Sequence, residues 1–502
     1  MTRSTLVAAV FVVLALATPA LAAYYVCHPD PTGTRTVQLR GHVVGYAVHG
    51  ETVTIAVRHD GRCSTFAWRA ARALASGSRS CASVAGAPRS APDGVRIVRP
   101  GAGIDRPNRL VVLATGRSWP LPVRVRPHTL QVSGDLAAYG ALGDHGLWVT
   151  RLSDGRTTFV APVKADDRPL LTAGGTVYVD DVYKHAPAMR PLVKFVPTAA
   201  LESELARVGA PVHTGGAIRA FSMDGTRMAL VVAGGTNGCD RVVFWNVPWR
   251  SVEQISQQAG VTCAASGASR RISQIALGGA RAQWVTTQYG KPIVVAADDI
   301  GCQEWVVGRL IAPPVLAADG TMVAFSLPGR SSSSIEVVGK HYRSSDLYGL
   351  SGRIHGLAAD GRRTAVLDAG RVTIHDARAM QQTFRVRGGR ALALRGPTVV
   401  TTTSSGRLDV FRSGQLLHSW PLPASAAPQV DLQYGIAVVS TRGAVYAVDI
   451  ANGRTARLAS TPATPHAQIE AIGVGYTYSL GNRGTASLIP MGAVEAMLGR
   501  SG

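Results

Sequence analysis

Six cysteines are the residues of this 502-residue chain whose chemistry is easiest to name. Their number is even, and because no C-x-x-C spacing occurs, disulfides are favoured over a zinc site. Proximity along the chain predicts the pairs Cys63–Cys81 and Cys239–Cys263, which leaves Cys27 with Cys302. The alternative is that some of them stay reduced and buried, because a thiol packs as a small hydrophobic group.

Other reactive groups form no recognisable motif. The chain contains no G-x-S-x-G nucleophile elbow, H-E-x-x-H zinc motif, Walker A loop or EF-hand loop. Its acidic doublets do not predict a metal site, because adjacent side chains in a strand point to opposite faces. We therefore predict no catalytic, cofactor-binding or metal-ligating residue, and no cofactor.

The charge balance is strongly basic. Lys and Arg number 52 against 31 Asp and Glu, so the formal charge is +21, and only five of the basic residues are lysines. Arginine suits phosphate and carboxylate groups, which makes nucleic acid, acidic lipid or a cell-wall polymer a reasonable partner. The arginines are scattered singly, however, so no sequence-specific nucleic-acid site is predicted.

The N-terminus predicts export. Arg3 precedes the unbroken apolar run 6–17, and Ala20-Leu21-Ala22 supplies small residues for a signal peptidase. The run is shorter than the roughly 20 residues that span a bilayer. Residues 1–22 are therefore predicted to be a signal peptide, which leaves a secreted or extracytoplasmic chain with no transmembrane anchor after cleavage.

Downstream of about residue 40, the pattern is one of short strands and tight turns. Asp-Gly pairs recur, as at Asp319-Gly320 and Asp360-Gly361, and such pairs accept the positive φ of hairpin turns. Each precedes or follows an apolar, β-branched run of strand length. With only 17% charged residues and 46% hydrophobic residues, the chain is neither a coiled coil nor a highly charged disordered protein.

Longer repeats accompany the strands. Ser-Trp-Pro-Leu-Pro occurs at 118–122 and again at 419–423, a separation that corresponds to seven intervals of about 43 residues. A second motif, [VI]-P-x-x-x-[LV]-E, begins at Val196, Val247 and Ile489. Proline suits the first turn of a helix, so this motif predicts three single short helices.

A strand of the form S-x-D-G-x-x-[IVA] followed by one of the form [VL]-x-[VIF]-[WHF]-[DN] resembles the WD40-like and TolB-type repeats of exported bacterial β-propellers. Ser222-Met-Asp-Gly-Thr226 and Val372-Thr-Ile-His-Asp376 carry this resemblance. It implies an all-β propeller with four-stranded blades and a binding or scaffold role. Residues 447–457 are also similar to a quinoprotein repeat, but Arg457 replaces its docking tryptophan, which argues against a quinone cofactor.

Counting unit starts near 42, 94, 128, 168, 215, 272, 315, 354, 389, 429 and 468 predicts ten or eleven blade-like units. Because closed rings usually have about 4–8 blades, two rings are expected, with the split between about 260 and 315. We therefore assign 23–312 to an N-terminal propeller region and 313–502 to C-terminal blades. A single eight-bladed ring with insertions is the alternative.

The function expected from this fold is an exported, non-enzymatic binding or scaffold module for an extracytoplasmic protein or an anionic cell-envelope polymer. The alternative is a propeller hydrolase or lyase with a metal site at the central channel. His355, His375 and Asp376 lie in adjacent elements and are the candidates for such a site. The tryptophans are expected to fill space between blades.

Overall fold

The computed structural model describes residues 33–49, 52–69, 75–77, 94–99, 107–122, 125–141, 146–161, 170–180, 192–234, 240–246, 251–254, 271–278, 281–288, 291–298, 304–309, 315–319, 322–328, 332–338, 345–351, 354–361, 363–368, 370–376, 381–423 and 426–500. The predicted signal peptide lies outside these residues. The described strands form eleven antiparallel sheets, which we number as blades 1–11. The predicted all-β propeller with four-stranded blades is confirmed.

We call blades 1–4 the first ring, in which described hydrophobic clusters join blade 2 to blade 3, blade 3 to blade 4 and blade 4 to blade 1. Blade 1 consists of β2 (His42–His49), β3 (Thr52–His59), β4 (Arg62–Arg69) and β5 (Ala75–Gly77). Blade 2 has three described strands, β6 (Val95–Val98), β7 (Arg109–Val112) and β8 (Ser118–Pro120). Blade 3, which follows a 3-10 turn at Pro127–Thr129, consists of β9 (Gln131–Ser133), β10 (Leu136–Gly140), β11 (Leu147–Arg151) and β12 (Thr157–Ala161). Blade 4 consists of β13 (Leu170–Thr172), β14 (Gly175–Asp180), β15 (Leu192–Pro197) and the N-terminal strand β1 (Arg35–Gln38).

Helix α1 (Thr198–Arg207) links this ring to β16 (Val212–Thr214) and to blades 5–7 of the second ring. Blade 5 consists of β17 (Ile218–Asp224), β18 (Arg227–Val232), β19 (Arg241–Asn246) and β20 (Ser251–Gln254). Blade 6 consists of β21 (Gln274–Gly278), β22 (Arg281–Gln288), β23 (Lys291–Asp298) and β24 (Glu304–Arg309). Blade 7 consists of β25 (Leu316–Asp319), β26 (Met322–Pro328), β27 (Ser332–Val338) and β28 (Ser345–Ser351).

Blades 8–11 complete the second ring. Blade 8 consists of β29 (Ile354–Asp360), β30 (Arg363–Asp368), β31 (Arg371–Asp376) and β32 (Gln381–Arg385). Blade 9 consists of β33 (Gly389–Arg395), β34 (Thr398–Thr403), β35 (Arg407–Arg412) and β36 (Gln415–Pro421). Blade 10 consists of β37 (Ala426–Gln433), β38 (Ile436–Thr441), β39 (Ala444–Asp449) and β40 (Thr455–Ser460). Blade 11 consists of β41 (His466–Glu470), β42 (Gly473–Leu480), β43 (Arg483–Pro490) and the distant β16, and helix α2 (Met491–Met497) follows it.

Strand pairing shows where one ring ends and the next begins. β1 pairs with β15 and completes blade 4, whereas β16 pairs with β43 and completes blade 11. The inner strands β17, β21, β25, β29, β33, β37 and β41 contact one another in that order, and β41 contacts β17 again. The change of ring therefore lies between residues 197 and 212, not between about 260 and 315. The blade count predicted the number of units, but long-range pairing decides which strand closes which blade.

The hydrophobic core lies between neighbouring blades. At the closure of the second ring, Ile218, Met223 and Leu230 from blade 5 pack against Ile472 and Leu488 from blade 11. Each large apolar side chain that is fully buried contributes roughly 1.5–3 kcal/mol. Trp245 and Trp284 are fully buried between strands, as expected for tryptophans that fill space.

Two of the three predicted short helices are confirmed. Pro197 and Pro490 each directly precede a helix, α1 and α2, at the end of the last blade of a ring. The described residues of the third motif, Ser251–Gln254, form the fourth strand of blade 5 instead and pair with β19. The motif therefore ends in a helix only where another strand already occupies the outer position of the sheet.

The two copies of Ser-Trp-Pro-Leu-Pro join adjacent blades in the same way. Nε1 of Trp420 donates to the Ile450 carbonyl at 3.1 Å, and Nε1 of Trp119 donates to the Leu152 carbonyl at 2.9 Å. The two indoles lie against Gly453 and Gly155 of the next blade. Trp420 of blade 9 therefore packs on blade 10. The quinoprotein repeat instead places its docking tryptophan at the position that Arg457 occupies in blade 10.

Replacing Gly453 with alanine tests this tryptophan contact. The residue has φ +75°, and an added β-carbon would lie 2.5 Å from the Trp420 ring. We expect Gly453→Ala to cost about 1–3 kcal/mol for the clash in addition to about 1–2 kcal/mol for the left-handed backbone. The control is Gly481→Ala, which has φ +58° and open space around the added β-carbon. Equal losses for the two variants in urea unfolding would contradict the proposed contact.

Candidate functional site

The second ring surrounds a central channel of about 510 Å³. Each of the seven inner strands contributes residues to its wall, so all seven blades position the site. The channel runs along these strands, and its two mouths therefore correspond to the beginning and the end of every inner strand. Inner-strand positions can be compared blade by blade because all seven strands line the same channel.

At one position of the inner strand, four blades carry alanine and three carry a polar residue. Two residues before the end of the inner strand, blades 6, 7, 8 and 9 carry alanine, namely Ala276, Ala317, Ala358 and Ala393. Blades 5, 10 and 11 carry Ser222, Asp431 and Gln468 at this position. The alanines come from four consecutive blades and the polar side chains from the other three, which are also consecutive around the ring.

The three polar residues of the wall connect neighbouring blades. Ser222 Oγ accepts the Leu277 N–H at 2.9 Å, and Asp431 Oδ2 accepts the Ile469 N–H at 2.8 Å. Gln468 Oε1 accepts the Met223 N–H at 2.5 Å across the closure of the ring. These oxygens satisfy backbone donors of the next blade, so they serve the ring itself.

The mouth at the beginning of the inner strands is basic, and its lining residues include Arg219, His355, Arg390 and His466. The opposite mouth contains paired groups. Arg395 donates to Asp360 at 3.3 Å, and Gln433 Nε2 donates to Glu470 at 3.2 Å. The channel is therefore electrostatically asymmetric from one mouth to the other.

Exposed arginines of blades 8–11 lie on the side of the ring that carries the basic mouth. They lie in the turns or strand ends that share this end of the blades, and we call Arg371, Arg387, Arg390, Arg442 and Arg483 the arginine face. None of the five forms an ion pair with another described residue. Two acidic residues are described at these turns. Asp368 is half-buried, and Asp240 forms an ion pair with Arg219 at 3.1 Å.

At the other end of the same blades, arginines are neutralised by carboxylates. Arg363 pairs with Asp376 at 3.2 Å, and Arg500 pairs with Asp449 at 2.7 Å. Burial alone would raise the pKa of Asp449, but hydrogen bonds from Arg500, the Ala451 N–H and Asn452, together with the Arg500 charge, lower it. This end of the ring therefore presents less unbalanced positive charge than the arginine face.

The three sequence candidates for a channel site are not brought together. His355 lines the channel from β29, whereas His375 lies on β31 and is buried, which lowers its pKa. Asp376 pairs with Arg363 at the opposite end. In the part of the chain that the structure describes, no group of three or more His, Cys, Asp or Glu could hold a metal ion.

Of the six cysteines, Cys63 lies on β4, and the other five lie outside the described residues. The three disulfide pairings thus stay predictions.

Sequence reasoning missed the convergence of Arg387, Arg390 and Arg442 on one mouth, because single arginines separated by strands form no run. The short segment Val386-Arg387-Gly388-Gly389-Arg390, at the start of an inner strand, was the available signal.

No helix among the described residues is long and apolar enough to cross a membrane. No family model and no curated protein matches the chain. Among solved structures, it is similar to the β-propeller domain of Myceliophteria thermophila Cps50 (Swd1), at 12% identity and a TM-score of 0.42, over 56% of this chain and 99% of that one. It is also similar to a chain of the mitotic checkpoint complex, at 11% identity and a TM-score of 0.41, over 57% of this chain and 92% of that one. Kluyvelomyces marxianus Hsv2 is similar at 13% identity and a TM-score of 0.38, over 53% of this chain and 93% of that one. Identity this low concerns the fold alone, and the TolB-type resemblance stays a prediction.

His466 at the basic mouth provides a test by pH. Burial lowers its pKa below the ordinary value of about 6.5. The unfolded chain therefore takes up the proton first, so the free energy of unfolding should fall as the pH drops below about 6.5. We expect His466→Gln to reduce this fall between pH 7 and pH 5 in urea unfolding. An identical pH dependence in both proteins would contradict burial of the imidazole.

Proposed function

We propose that the chain is an exported, non-enzymatic binding or scaffold module that binds an anionic extracytoplasmic partner at the arginine face. The observation that carries the proposal is the group of exposed arginines on blades 8–11 at one mouth of the channel, none of which pairs with a described carboxylate. Four adjacent blades, 8–11, carry these side chains at the same end of the second ring.

Electrostatics favours the arginine face over the opposite end of the second ring as the place where an anion binds. Guanidinium groups bind phosphates and carboxylates in a bidentate manner, and unpaired ones keep that capacity. At the opposite end, Arg363, Arg395 and Arg500 already bind Asp376, Asp360 and Asp449. An anion approaching the ring therefore meets less competition from the protein's own carboxylates at the arginine face.

The compartment is part of the same proposal. The N-terminal sequence has the features of a signal peptide, and the six cysteines suit an oxidising environment. A cell-envelope polymer or an acidic protein surface would meet the arginine face there. Long-range attraction of this kind weakens as salt screens the charges, with a Debye length of about 8 Å at physiological ionic strength.

Binding of labelled inorganic polyphosphate to the full mature chain tests the arginine face. We expect binding, measured by fluorescence anisotropy, to weaken steeply between about 50 and 500 mM salt. Arg387→Ala combined with Arg390→Ala should reduce the affinity about tenfold, because each removes a charge next to the bound phosphates.

The matched control is Arg412→Ala combined with Arg457→Ala, which removes two exposed arginines that lie outside the arginine face. This control should keep nearly the wild-type affinity. Equal losses in the two double variants would mean that only net charge matters, and that result would contradict a dedicated face. Affinity that does not change with salt would contradict the electrostatic mechanism.

A further inference from the structure

The last three blades of the two rings repeat one another. Blades 2–4 with α1 correspond to blades 9–11 with α2, and three motifs recur in the same order in both sets. These are Ser-Trp-Pro-Leu-Pro at 118–122 and 419–423, Gly-Arg-Thr at 155–157 and 453–455, and a helix following Pro197 or Pro490. Blade 9 is thus the counterpart of blade 2.

The correspondence extends to individual hydrogen bonds. Arg156 donates to the Ala206 carbonyl near the end of α1, and Arg454 donates to the Gly499 carbonyl just after α2. In blade 2, Leu110 pairs in register with Trp119, and in blade 9 Leu408 pairs with Trp420. Equivalent residues can therefore be compared one by one.

Helix α2, which follows blade 11, packs on the outer surface of blade 2. Arg109 donates through Nε and Nη2 to the hydroxyl and carbonyl of Ser118, and through Nη1 to both carboxylate oxygens of Glu495 at 3.1 Å. The backbone of Gly492 lies beside the Trp119 ring, since a β-carbon added there would be 3.9 Å from it. Helix α2 thus joins the two rings through a glutamate and a small residue.

In blade 9, Arg407 makes the same two contacts but has no carboxylate. Its Nε donates to the Ser419 hydroxyl at 2.6 Å, and its Nη2 donates to the Ser419 carbonyl at 2.5 Å. No described residue accepts a bond from Nη1 of Arg407. Glu202, which follows Pro197 in α1 at the same spacing as Glu495 follows Pro490 in α2, pairs instead with Arg151 of blade 3.

The neighbouring strand of blade 9 is open to solvent. β36 is the outermost strand of its sheet, and it carries Leu416 and Leu417, which are 55% and 48% exposed. The pairing shifts register between Val410 and Phe411, so the strand is irregular where these exposed leucines lie. We call the surface formed by Arg407, Leu416, Leu417, Ser419 and Trp420 the blade 9 surface.

We propose that the blade 9 surface binds a short helix of a partner protein that presents a glutamate to Arg407, as α2 presents Glu495 to Arg109. The charge complementarity is the one already realised in blade 2, and the leucines add exposed apolar area further along the same outermost strand. One difference affects the strength of binding. Asp409, whose counterpart in blade 2 is Val111, accepts the Ser419 hydroxyl and places a negative charge close to the incoming glutamate.

A lactam-stapled peptide with the sequence of residues 488–499 is the probe, because it contains the α2 residues that bind blade 2. It is titrated into the full mature chain, and the Trp420 indole N–H is followed by NMR and assigned with Trp420→Phe. We expect a saturable shift, at least a fivefold weaker affinity for the peptide carrying Glu495→Gln, and loss of the shift in Arg407→Ala. Arg412→Ala, an exposed arginine of the same blade, should bind as the wild type does.

A second variant tests the chemistry without removing the arginine. Asp409→Val copies the blade 2 residue, and it should tighten peptide binding because a repelling charge is removed. No shift at Trp420, or a shift that survives Arg407→Ala in a protein with unchanged unfolding temperature, would overturn the proposal. Binding that is lost only in Arg109→Ala would also overturn it, because the peptide would then be replacing α2 on blade 2.

Discussion

The last blade of each ring is completed by a strand from the beginning of that ring, and the rest of the architecture depends on this pairing. β1 completes the sheet of blade 4, and β16 completes that of blade 11. At the second closure, Ser479 Oγ accepts the Ile218 N–H at 2.8 Å and donates to the Ile218 carbonyl at 3.0 Å. A last blade without this outer strand would expose a row of unpaired backbone groups.

The helices follow from the same constraint. Because the outer position in blades 4 and 11 is already filled, the chain that leaves β15 or β43 cannot add a fourth strand and turns into a helix after a proline. Leu201 and Leu205 of α1 then cover the cluster between blades 3 and 4, and Val494 of α2 covers the one between blades 10 and 11. The outer side of α2 remains available for Arg109, and this contact links the rings.

Strand direction determines which end of the second ring carries unpaired positive charge. All seven inner strands begin at one mouth and end at the other, so residue preferences at strand beginnings and ends add up around the ring. Ends that carry Asp360, Arg395 or Glu470 form internal pairs, whereas beginnings that carry Arg390 or His355 do not. The shared strand direction of blades 8–11 therefore brings arginines that are separate in the sequence onto one basic surface.

The sequence by itself determined the features that depend on neighbouring residues. Alternating apolar runs and Asp-Gly turns predicted antiparallel blades, and the repeat starts agree within a few residues with inner strands such as β17 at Ile218 and β33 at Gly389. Proline spacing predicted α1 and α2. Tertiary structure decided what depends on distant partners: the ring boundary near α1, strand β20 in place of a helix, the tryptophan that blade 10 receives from blade 9, and the separation of His355 from His375. The physical reason is that turn and strand preferences act over a few residues, whereas the pairing of β16 with β43 and the contact of Arg109 with Glu495 join residues hundreds of positions apart.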